Sequence, residues 1–86
     1  MHATTPFPTL LRLEAARSLT GDTRSTFYAI AAQGLMPRPI KIGPSAAAVP
    51  ASEIAAVNAA RIRGAGDAEI KALVADLHAQ RAHCVA

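Results

Sequence analysis

The chain has 86 residues, enough for one small domain with an appended helix but too few for the deep pocket of most enzymes. With one tyrosine, two phenylalanines and no tryptophan, aliphatic and alanine packing must carry the core. The net charge of +3 is unevenly placed: residues 1–66 hold seven Arg and Lys against three acids, and residues 67–86 hold two against three. A basic front part of this kind favours an anionic partner.

In chain order, residues 1–9 read as a flexible N-terminal lead, because Pro6 and Pro8 oppose regular pairing. Leu10 to Leu13 reads either as a short strand or as the run-in to a helix centred on Glu14 to Leu19. Gly21 is suited to the left-handed conformation that closes that helix, and Asp22 or Thr23 can cap the next one. The second helix is predicted from about Thr23 to Gln33, with Phe27, Ile30 and Ala31 facing inward and Gly34 ending it. Its first turn, Arg24-Ser25-Thr26-Phe27-Tyr28, offers a guanidinium, two hydroxyls and a phenol at a positively polarised helix start. Such groups hydrogen-bond phosphates and base edges. Tyr28 has a second reading as cover for the first helix, and Ser25 and Thr26 as local capping groups.

Pro37-Arg38-Pro39-Ile40-Lys41-Ile42-Gly43 then reads as an extended basic arm. Strand alternation puts Ile40 and Ile42 on one side and turns Lys41 outward. Pro44-Ser45 is the expected hairpin tip, and Ala46 to Val49 a weak return strand. A third helix is expected from near Ser52, a natural cap, with Ile54, Val57 and Ile62 on one side, ending before the Gly64-Ala65-Gly66 break. Arg61 and Arg63 complement the dipole at its end and are secondary phosphate candidates. Asp67 is the expected cap of a last helix in which Ile70, Leu73, Val74 and Leu77 form a narrow apolar seam. The seam has two readings: packing against its own domain, or contact with a second copy or partner protein.

Leu11-Arg12-Leu13, Thr20-Gly21, Arg24 to Tyr28, Gly34 and Pro37 to Gly43, in this order and spacing, resemble the AlpA-type phage regulators. These group with small excisionases and with the DNA-binding part of MerR-like proteins. The resemblance covers roughly residues 10–62. It implies a winged helix-turn-helix over residues 10–63, mainly α with a small β-hairpin, with residues 67–81 as a separate C-terminal helix and tentative oligomerisation element. By position it implies DNA contacts from Thr23, Arg24, Ser25, Thr26 and Tyr28 in a major groove and from Arg38 and Lys41 on the wing.

The chain departs from the family pattern at Asp22, where a hydrophobic residue is usual, and at Ala29, Leu35 and Ser45, where basic ones are. An aromatic is also usual near Val49 or Pro50. Fewer cations mean weak, salt-sensitive binding by one copy, so cooperative self-association on repeated DNA sites is expected. The implied role is that of an excisionase (recombination directionality factor) or transcriptional regulator of a prophage or integrative element, with a recombinase as a further partner. The alternative is a protein-interaction module that uses the 67–81 seam on the same scaffold with weakened DNA binding.

Catalysis is not expected. His2, His78 and His83 lack metal-ligand spacing, no serine has a paired base in reach, and Gly64-Ala65-Gly66 lacks the lysine of a phosphate loop. No metal or other cofactor is implied. Cys84 has no second cysteine to pair with, which fits a reducing cytoplasm. No apolar run is of membrane-spanning length, and Met1 to Pro8 lacks the apolar stretch of a secretion signal, so the protein is expected to stay where it is made.

Overall fold

The computed structural model describes residues 9–83. The expected lead up to Pro8, His2 and Cys84 lie outside the described residues. In chain order the elements are β1 (Leu10–Arg12), α1 (Leu13–Thr20), α2 (Arg24–Ala32), β2 (Ile40–Gly43), β3 (Ala46–Pro50), α3 (Ala51–Ile62), α4 (Asp67–Gln80) and a 3-10 turn over Arg81–His83. The architecture is mainly helical with a small antiparallel sheet, compatible with a winged helix-turn-helix.

Leu10–Arg12 is a strand, not a helix run-in, and α1 starts directly after it at Leu13. Gly21 closes α1 in the left-handed conformation with φ 79°, and the amides of Gly21 and Asp22 both donate to the Arg17 carbonyl. Of the two possible caps for α2, Thr23 is the one used: its Oγ1 accepts from the Thr26 amide. Phe27 and Ala31 bury the inner face of α2, and Ile30 packs beside them.

The sheet order is β1-β3-β2, so the alanine-rich return strand lies in the middle. Backbone pairing on both edges compensates for its short side chains. Leu11 pairs with Val49, while Arg12 and Ile40 flank Ala48 from either side, and Ala48 and Val49 are buried. The register slips between Lys41 and Gly43. Ile42 is the extra residue of that bulge, which interrupts the alternation. It therefore does not share the side of Ile40, as strict alternation predicts, and is 43 % exposed.

Two expectations for α3 are corrected. The helix begins at Ala51, with Pro50 rather than Ser52 at the cap position and no side-chain cap bond. Ile62 is exposed, since five residues beyond Val57 is well off the same helical face. The buried stripe runs instead through Glu53, Ile54, Val57 and Ala60.

The larger correction concerns α4. Gly66, not Asp67, is its cap residue, and Asp67 and Glu69 occupy the first turn, where carboxylates favour the helix dipole. Ile70 and Val74 are each 1 % exposed and belong to the same core as Leu13, Phe27, Met36, Val49, Ile54 and Val57, with Leu73 and Leu77 packed against it. The seam is therefore filled from within the chain. Ile70 and Val74 have their partners in the chain's own core, while Leu73 and Leu77 remain partly exposed beside them. The Gly64-Ala65-Gly66 break turns the chain back against α3 and does not release the helix.

Candidate nucleic-acid interface

The Thr23 cap fixes where α2 starts and so which side chains project from its first turn. Thr23 Oγ1 donates to Thr26 Oγ1 at 2.8 Å and accepts from the Thr26 amide at 3.2 Å, so these two hydroxyls hold the helix start together. Arg24, Ser25 and Tyr28 are exposed around them. Arg24 and Tyr28 are one turn apart, and the guanidinium carbon lies 5.7 Å from the ring centroid, within cation–π range. Arg24 also approaches Glu14 of α1 at 3.8 Å. Both of these side chains are well exposed, so the pair is weakly held.

Across from this helix start stands the β2–β3 hairpin. Lys41 lies opposite Ala47 in the register. Together with Arg24, Tyr28, Pro39, Ser45 and neighbouring hairpin residues it lines an open groove of about 340 Å³. Its two cations come from separate elements, Arg24 from the helix start and Lys41 from the hairpin. Small residues at Gly43, Ala46 and Ala47 keep its floor low. This arrangement can take a polyanion along the groove and a polar edge at the helix start.

Arg38 is not among the residues lining this groove. Its N–H donates to His78 Nε2 at 3.1 Å and its carbonyl accepts from Arg81 at 2.9 Å, so its backbone is tied to the C-terminal end of α4. Arg61 likewise has an intramolecular use, donating to the Leu35 carbonyl at 2.9 Å, whereas Arg63 is exposed.

Sequence reasoning missed the group that holds Arg38. Arg81 meets Glu53 through both carboxylate oxygens, at 2.9 and 2.6 Å. The available signal was Glu53 itself, which falls on the same helical stripe as Val57 and Ala60, where an acid needs a partner to be buried. Among the described residues, no group of three or more His, Cys, Asp or Glu is placed to hold a metal ion, and no helix is long and apolar enough to cross a membrane.

The family model for the prophage CP4-57 regulatory protein (AlpA) matches residues 9–61, and the chain belongs to that family. No curated protein and no solved structure matches it. The match spans β1 to α3 and contains the whole groove, while α4 lies beyond it.

Proposed function

We propose that this AlpA-family chain binds double-stranded DNA, with the start of α2 in a major groove and the β2–β3 hairpin on the adjoining backbone. The observation that carries this reading is the single groove shared by Arg24, Tyr28 and Lys41. Arg24 and Ser25 are the candidates for base edges, Thr23 and Thr26 set the helix start, and Tyr28 supports the Arg24 guanidinium. Lys41 meets phosphate. Arg38, whose backbone is held by α4, adds a more remote phosphate contact.

With only two cations at the groove, one copy binds weakly and with strong salt dependence. Useful affinity then comes from several copies on repeated sites. Such a protein suits control of a prophage or integrative element, as a recombination directionality factor beside a recombinase, as a transcriptional regulator, or both. The alternative is an interaction module on the same scaffold; the packing of Ile70 and Val74 into the chain's own core favours the DNA reading over it.

The test is a gel-shift series on fragments enriched by the protein from a random duplex pool. Arg24→Ala is expected to weaken specific binding by about 1 to 3 kcal/mol, the range for a bidentate base contact. Equal binding by parent and variant contradicts the assignment.

A further inference from the structure

The family match ends at residue 61, yet the C-terminal end of α4, well beyond that point, grips the backbone just ahead of the hairpin. Arg38 is held on both sides: its N–H by His78 Nε2 and its carbonyl by Arg81 Nη2. Since Pro37 and Pro39 have no N–H, the Arg38 amide is the only backbone donor that this three-residue segment can offer. The prolines also fix φ on either side, so a position imposed at Arg38 passes stiffly into β2, which begins at Ile40.

Arg81 is itself fixed by Glu53, which is 5 % exposed on the core-facing stripe of α3. The pair is two-pronged, Nε to Oε2 and Nη2 to Oε1, and the same Nη2 reaches the Arg38 carbonyl. A buried ion pair of this kind adds little net stability over apolar packing of similar volume. What its fork geometry supplies is a defined direction. Here that direction points at the segment leading to Lys41.

We propose that Glu53, Arg81 and His78 are positioning residues for the hairpin: the C-terminal helix clamps Arg38 and so sets where Lys41 stands opposite Arg24. The inference rests on the reading of that groove as the DNA site. It makes α4, outside the family-matched residues, part of the binding apparatus.

Replacing both ion-pair partners together, Glu53→Met with Arg81→Met, avoids leaving one charge buried alone. His78→Ala provides an independent disruption if that double variant does not fold. In His78→Ala, which removes the acceptor of the Arg38 amide, that amide is expected to exchange with solvent about tenfold faster, the equivalent of one intramolecular hydrogen bond. In the double variant, which frees the Arg38 carbonyl, it is expected to exchange faster than in the parent, with α1 amides unchanged in both.

The second readout is the salt slope of DNA binding. Lys41→Ala lowers the slope by about one unit in the parent, and with the clamp broken the same substitution is expected to change nothing. A structural role alone would leave that coupling intact. Unchanged Arg38 exchange, or an undiminished effect of Lys41→Ala in the clamp variant, overturns the proposal. Accelerated exchange in a chain whose parent binds no duplex refutes the DNA reading instead and leaves the clamp standing.

Discussion

Among the described residues Arg24 has two partners, and neither holds it tightly. The Glu14 carboxylate at 3.8 Å is solvated, and the Tyr28 ring offers a face that orients a guanidinium without neutralising it. A cation held loosely at a helix start can exchange both contacts for a base edge. Lys41 differs in kind, being an exposed point charge on a strand. Lys41→Ala is therefore expected to lower affinity evenly across sequences and to make the salt dependence shallower by about one unit. Titrations at several salt concentrations measure this, and an unchanged slope takes Lys41 off the DNA.

His78 gives the fold a pH dependence. Burial lowers its pKa below the usual 6.5, the Arg81 and Arg38 guanidiniums lower it further, and the Glu53 carboxylate partly offsets them. These groups reach His78 from the 3-10 turn, the segment before β2, and α3. The neutral ring accepts from the Arg38 amide, which a protonated Nε2 cannot do. As pH falls below about 6.5 the unfolded chain takes up this proton before the folded one, so stability declines. The decline levels off once pH is below the folded-state pKa as well. Thermal melts from pH 7.5 to 5 on the parent and on His78→Gln test this: the parent's slope in that range should be the steeper, and equal slopes contradict the role.

Among the elements, α1, the Gly21 turn and α2 were legible in the sequence because caps and turn glycines act locally. Thr23, Gly21 and Gly34 mark the ends that the structure shows. The groove was half legible. Arg24, Tyr28 and Lys41 follow from residue type and period, but their meeting depends on the hairpin's placement. Arg38, on the same basic arm, is turned toward α4 by contacts 40 and 43 residues away in sequence, which no local pattern reports. Ile42 and Ile62 depart from expectation for the related reason that a bulge and a drifting helical phase break simple periodicity.

The α4 seam was visible as a period, while its partner was not, because an apolar stripe looks the same whether it packs in cis or in trans. Its burial carries a definite expectation. Truncating a fully buried Ile or Leu costs about 2 to 5 kcal/mol, and a chain of this size has about 4 to 13 kcal/mol of total stability. Ending the chain at Gly66 removes Ile70 and Val74 from the core they share with Phe27 and Val57. The shortened chain is expected to lose cooperative melting by circular dichroism. A cooperative transition at the parent's temperature contradicts the packing described here.

At the scale of the whole molecule, one core joins the family-matched residues to α4, and the charge lies unevenly around it. Residues 67–86 carry a small acidic excess and the front part a basic one, so a polyanion is steered away from α4 and toward the α2–hairpin side. That side is where the proposed function puts DNA. Amide shift mapping of the labelled full chain with a generic duplex at low salt tests it most directly, since non-specific binding uses the same electrostatic face. Perturbations are expected to cluster at Thr23 to Tyr28 and Lys41 to Ala47 and to be reversed by added salt, with Ala55, Ile62 and the exposed face of α4 unaffected. Perturbations centred on α3 or α4, or none at any duplex concentration, would contradict it.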